Sequence, residues 1–263
     1  MKKGFLFVIA ISLFLCSSVN VFAKNEIEVF VSIANGDLKI AYEKIAVYDT
    51  NEDGVLTIDD ALYCAHELKY KGESKGYISS QGPFGTKIDM LWGVDNGGAY
   101  GYYLNNGSAM SLDDKIKNND HIYAFVYTDL SFYSDTFSFF DKQKISSSIG
   151  ESITLNLSSL AYDESWNIVS QNVEDAYITI NGEKTEIKTN EKGNAVLTLD
   201  KKGKYIISAV SENQVLIPSV CIVNVTESDM TATPSDKSSF VYIILSLASL
   251  VLISATVLKA KKL

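Results

Sequence analysis

Arginine is absent from this chain of 263 residues, so all 23 basic residues are lysine. Histidine and tryptophan occur twice each, and proline and cysteine three times each. With His66 and His121 as the only imidazoles, the means for acid–base or metal-assisted catalysis are few. His66 falls on an expected helix near Cys64, with no recognisable nucleophile beside it, and Cys64 shares the apolar stripe of Ala61, Ala65 and Leu68 as a packed thiol. No nucleophile elbow, zinc spacing or phosphate loop is present, and the chain reads as non-enzymatic. Long apolar runs are missing from the middle of the sequence and occur at both ends.

The start, Met1-Lys2-Lys3 followed by an apolar stretch over 5–16 and Val21-Phe22-Ala23, has the parts of a secretory signal with cleavage after Ala23. Lipidation of Cys16 is the weaker alternative, because Leu15 stands where a small residue is needed. Near the other end, 240–258 is an uncharged apolar run followed by Lys259, Lys261 and Lys262. At 1.5 Å per residue it is about 28 Å long, enough to span a bilayer with the lysines on the cytoplasmic side. The expected organisation is a signal peptide (1–23), an extracellular portion, a polar stalk (228–239), one membrane span (240–258) and a short tail (259–263). Between signal and span lie 18 lysines and all 32 acidic residues, a net charge of −14. That balance argues against nucleic acid and anionic lipid as partners and suits solubility or calcium binding. Once the signal is removed, Cys64 and Cys221 are the remaining cysteines, which excludes a disulfide framework.

The extracellular portion changes rhythm near 141–148. In the first domain, expected over 24–141, Val29-Phe30-Val31-Ser32-Ile33 and Leu38-Lys39-Ile40-Ala41-Tyr42 flank Asn35-Gly36 and predict a hairpin. Ile58, Ala61, Leu62, Ala65 and Leu68 recur at helical spacing over 58–69, with Thr57 as cap and Asp60 three residues on. Aromatic strands follow, giving an α+β sheet with a helix on one face. The second domain, expected over 148–227, reads as six short strands with an Asn181-Gly182 turn, an all-β sandwich.

One motif carries chemistry at defined spacing. Over 49–60, Asp49, Asn51 and Asp53 occupy positions 1, 3 and 5 of a twelve-residue calcium loop, with Gly54 at the sharp turn. The Val55 carbonyl, Thr57 and Asp60 complete the expected ligand set, Asp60 standing where glutamate is usual. A weak Ca2+ site with a structural role is expected, the competing reading being an acidic turn that only caps the helix. The loop resembles that of dockerin modules, which carry two such repeats where this chain has one, so cohesin binding is not implied.

Trp92-Gly93-Val94-Asp95-Asn96-Gly97-Gly98-Ala99-Tyr100-Gly101-Tyr102-Tyr103 ending in Asn106-Gly107, with Asn119-Asp120 before a strand, resembles the β-grasp-like domain of unknown function 4430, similar to the carboxy-terminal domain of transcobalamin. The resemblance implies a small sheet with one helix on exported proteins. Corrinoid binding is no more than suggested by it, since the carriers' helical partner domain is absent. The second domain is similar to bacterial immunoglobulin-like surface repeats, which implies a spacer. Lysine without arginine and the envelope signals fit a Gram-positive bacterium, although no Leu-Pro-x-Thr-Gly precedes the span. Trp92, Tyr100, Tyr102 and Tyr103 are the candidate ligand platform, with strand alternation sending Tyr103 to the face opposite Tyr100 and Tyr102. The expected function is that of a membrane-anchored surface protein with a calcium-stabilised head that binds a small molecule, glycan or protein. A structural component of the envelope is the alternative.

Overall fold

The computed structural model describes residues 26–227, Trp166 excepted. The expected signal peptide, stalk, span and tail lie outside the described residues. Among the described residues no helix is long and apolar enough to cross a membrane.

The first unit, or head, contains β1 (Glu26–Asn35), β2 (Asp37–Tyr48), α1 (Ile58–Lys69), a 3-10 turn (Glu73–Gly76), β3 (Ile78–Gly82), β4 (Gly85–Met90), β5 (Tyr100–Leu104), β6 (Gly107–Ser108) and β7 (His121–Val126). Its main sheet runs β2-β1-β7-β5-β6, and β3 and β4 form a separate two-stranded ribbon. β1 and β2 form the hairpin read at Asn35-Gly36, where Gly36 has φ +67°. β1 also pairs in parallel with β7, a contact between segments about ninety residues apart in sequence. Helix α1 occupies the expected span and begins with a reciprocal cap: the Thr57 hydroxyl accepts from the Asp60 N–H and the Asp60 carboxylate accepts from the Thr57 N–H. Its stripe buries Ile58, Ala61, Leu62 and Ala65 against Val31, Ile45 and Ile122. Leu68, counted in that stripe from spacing, is 62% exposed, because at 100° per residue it stands at the edge of the stripe, about 80° round the helix from Ile58.

The second unit contains β8 (Thr136–Phe140), β9 (Lys144–Ser148), β10 (Ser152–Tyr162), β11 (Ile168–Asn172), β12 (Tyr177–Ile180), β13 (Glu183–Lys188), β14 (Asn194–Thr198), β15 (Gly203–Val210), β16 (Leu216–Ile217) and β17 (Cys221–Thr226). One sheet runs β11-β10-β8-β16, with β14 on the first half of β10, and the other runs β13-β12-β15-β17-β9. Phe140, Leu155, Leu157, Ile178, Ile207, Cys221 and Val223 fill the space between them, as in a β-sandwich. Two elements depart from the sequence reading. β8 lies before the change of rhythm yet pairs with β10, and the polar stretch over 141–148 holds β9, which pairs in parallel with β17.

The two units share a third core. The head sheet turns Ala34, Tyr123 and Phe125 away from the helix and onto Phe137, Ile217, Val220 and Ile222 of the sandwich. All six residues of β7 are consequently buried, which is why His121-Ile122-Tyr123-Ala124-Phe125-Val126 shows no polar alternation. Tyr103 stacks on Phe137 with centroids 3.9 Å apart and the Tyr123 hydroxyl donates to the Pro218 carbonyl, while within the sandwich the Ser138 hydroxyl donates to the Ile217 carbonyl at 2.8 Å. Lys204 reaches Glu43 across the same junction at 3.5 Å. Gly101 is required here, since a Cβ at that position would stand 2.1 Å from Phe125 Cζ.

Candidate functional site

The acidic loop closes by its own side chains. Asp49 Oδ2 accepts from the Gly54 N–H at 2.6 Å, Asn51 Oδ1 from the Asp53 N–H at 3.1 Å, and Asp53 Oδ1 from the Val55 N–H at 2.8 Å. Gly54, with φ +86°, supplies the left-handed residue that such a turn needs. Asp49, Asn51 and Asp53 are thus brought together on a loop open to solvent. Asp60 is placed differently: it is 1% exposed, with Oδ1 accepting from the Thr50 N–H at 2.8 Å and Oδ2 from the Thr57 N–H and hydroxyl at 2.9 and 2.8 Å. Among the described residues no three His, Cys, Asp or Glu side chains form a group able to hold a metal ion. The donor set therefore fits a cation in part. Asp49, Asn51 and Asp53 with the Val55 carbonyl would hold it, whereas coordination by Asp60 or Thr57 would have to replace the helix cap.

The four expected platform aromatics do not share a surface. Trp92, Tyr100 and Tyr102 pack against the helix-side core, and Tyr103 faces the sandwich. The Tyr100 hydroxyl donates within a ring of backbone carbonyls, 2.7 Å from Asp89 O and 2.8 Å from Val94 O. Trp92 leans on His66 with centroids 5.2 Å apart, and the Trp92 backbone N–H donates to His66 Nε2 at 3.0 Å. His66 Nδ1 in turn donates to the Leu62 carbonyl at 2.6 Å, so both ring nitrogens are satisfied by a neutral imidazole. Burial pulls its pKa from 6.5 to about 4.

His121 is the second buried imidazole and opens on a different feature. It begins β7 and is 6% exposed, and burial lowers its pKa to about 4. Nε2 is 2.9 Å from the Ser32 hydroxyl, which also accepts from the Tyr42 N–H at the bulge of the first hairpin. The ring meets Tyr42 edge-on at 4.8 Å. Its Nδ1 has no protein partner, and the sole sealed side-chain polar atom lacking one among the described residues is Ser219 Oγ. Nδ1 is therefore not sealed from solvent, and His121 lines a cleft of about 240 Å³ with Tyr42, Asn105, Asn106, Asn119 and Gln143; His121, Asn106 and Gln143 also line a tighter gap with Ser138 and Val220. Asn105, Asn106 and Asn119 all have positive φ, at 54°, 59° and 69°. Consecutive asparagines ahead of a fully buried strand were the signal in the sequence, but they read there as turns. Gln143 comes from the sandwich, so no local pattern could have joined it to the others. A larger, open cleft of about 650 Å³ lies between the turn at Asp37 and the sandwich floor at Ile206 and Ser208, and Lys204 and Glu183 also line it.

No family model matches the chain, and no curated protein matches it. Among solved structures it is similar to the fibronectin(III)-like modules of Clostridium thermocellum CbhA, at 8% identity and a TM-score of 0.28 over 79% of this chain and 93% of that one. It is also similar to the N-terminal Ig1-2 module of the Drosophila receptor protein tyrosine phosphatase DLAR, at 14% identity and a TM-score of 0.24 over 57% and 75% of the two chains. Superpositions this loose add nothing to the strand pairing described above.

Proposed function

We propose that the protein is a non-enzymatic, membrane-anchored bacterial surface protein whose head and sandwich together hold one binding site outside the cell. The observation that carries the reading is the junction: a shared apolar core fixes the two units to each other, and beside it lies a cleft lined by a largely buried imidazole that keeps one nitrogen unpaired. A spacer that only carried a head would need neither the fixed core nor a polar recess within it. The head is β-grasp-like in this reading, in line with its resemblance to the domain of unknown function 4430, and the sandwich is immunoglobulin-like. Calcium held by Asp49, Asn51 and Asp53 would brace the loop that precedes α1. The packing of Trp92, Tyr100, Tyr102 and Tyr103 into cores favours the second reading, an envelope component with no small-molecule ligand, for the aromatic part of the head.

Orientation tests the proposal. An epitope inserted after Lys24 is expected to be labelled on intact cells expressing the full chain. Labelling that requires permeabilisation overturns the surface assignment.

A further inference from the structure

We infer that the cleft at the head–sandwich junction is a carbohydrate site for one neutral sugar ring, recognised by His121 and the amides of Asn106, Asn119 and Gln143. The inference rests on the proposal that the junction is a binding site and names its ligand class. Its first support is the absence of charge: neither a lysine nor a carboxylate lines the recess, so nothing there would neutralise an anion or a cation. Its second is what the lining groups, Asn119 exposed and Asn106 and Gln143 half-buried, offer a ligand. The Asn106 and Asn119 side chains make no hydrogen bond within the protein, and Gln143 spends its NH2 on the Phe140 carbonyl at 3.2 Å and keeps its oxygen free. An amide offers a donor and an acceptor side by side, and a neutral imidazole offers one or the other at Nδ1 according to its tautomer. A hydroxyl satisfies either, since it donates and accepts at one atom. A ligand meeting several such groups in a small space is polyhydroxylated.

Size and rigidity agree. A volume of about 240 Å³ is below the range of drug-sized pockets and suits a single ring. His121 is held by the Ser32 hydroxyl and the Tyr42 ring, and Tyr42 is itself stacked on Phe30 with centroids 4.3 Å apart, so the imidazole needs no reordering on binding. An apolar ligand would strand the amides and Nδ1 without partners, which burial makes costly.

The test uses the two histidines as reporter and control. Imidazole 15N signals of the full chain, in a detergent without a sugar headgroup, would be followed while glucose, galactose and N-acetylglucosamine are each added to tens of millimolar. At least one sugar is expected to shift the His121 signal saturably while His66, whose nitrogens are both occupied, stays unchanged. Asn106→Gly and Asn119→Gly keep the positive φ and remove side chains that hold nothing in the fold, so the double variant is expected to bind about fivefold or more weakly, the loss of a neutral hydrogen bond or more. No shift with any of the three sugars, equal shifts in both histidines, or undiminished binding in the double variant would overturn the inference. So would saturable binding of phosphate or acetate at His121 in place of a sugar. Failure here with successful surface labelling would refute the ligand class and leave the surface assignment standing.

Discussion

Acid should destabilise this protein well before its carboxylates titrate, because His66 and His121 are buried as neutral rings. Each has a folded pKa of about 4 against an ordinary 6.5, so the unfolded chain binds more protons throughout the interval between those values. The stability they contribute is intact above 6.5 and declines as the pH falls toward 4. One such histidine costs about 0.2 kcal/mol of stability at pH 7 and about 2 kcal/mol at pH 5, so the pair should cost about 3.5 kcal/mol across that interval. Asp113, Asp129 and Glu151, whose pKa values are lowered by hydrogen bonds from Thr86, Ser134 and Ser148, contribute stability that is lost at lower pH and so falls outside the interval. Urea unfolding of residues 24–236 at pH 7 and pH 5 measures the difference directly. The same measurement on His66→Gln with His121→Gln should give a nearly flat response, whatever the absolute stability of the variant. A change under about 1 kcal/mol in the parent, or one that survives whole in the double variant, would refute the assignment of neutral, desolvated rings.

Three further outcomes follow from the packing. Phe137→Ala removes the ring stacked on Tyr103 at the junction and should cost about 3–5 kcal/mol, with new protease cleavage between the two units. Gly101→Ala drives a methyl into Phe125 and should cost about 1–3 kcal/mol or more, read as a lower urea midpoint, whereas Gly97→Ala meets open space but still has a positive φ to accommodate, so a smaller loss is expected there. Millimolar calcium should raise the melting temperature above its value in EDTA, and Asp49→Ala should abolish the rise. Asp60→Ala should lower the melting temperature even in EDTA, by at least the worth of a helix cap, about 1 kcal/mol, and by more because the Thr50 N–H also loses its acceptor. A calcium response unaffected by Asp49→Ala would remove the loop as its source.

The elements written locally in the chain were legible. The α1 boundaries followed from a stripe and a cap within one window, and the first hairpin from Asn35-Gly36, because the forces that set them act between near neighbours. Pairing at long range was not legible. β9 is polar in sequence and is a strand because β17 lies beside it, and β8 belongs with the sandwich because Phe140 and Phe137 serve two different cores. The junction cleft was not legible for the same reason: Tyr42, Asn119 and Gln143 meet at a place that no single segment encodes. The aromatic segment drew attention by composition, and its rings are what the cores consume.

The position of β17 has a mechanical consequence. It lies inside its sheet, paired along its length with β15 on one side and β9 on the other, over five register positions with each. A pull on the chain beyond Glu227, directed along the strand, would load both ladders in shear, so their bonds would have to fail together and not one at a time. If the chain is tethered at that end, as proposed, drag on the head enters the fold through the strand best placed to resist it.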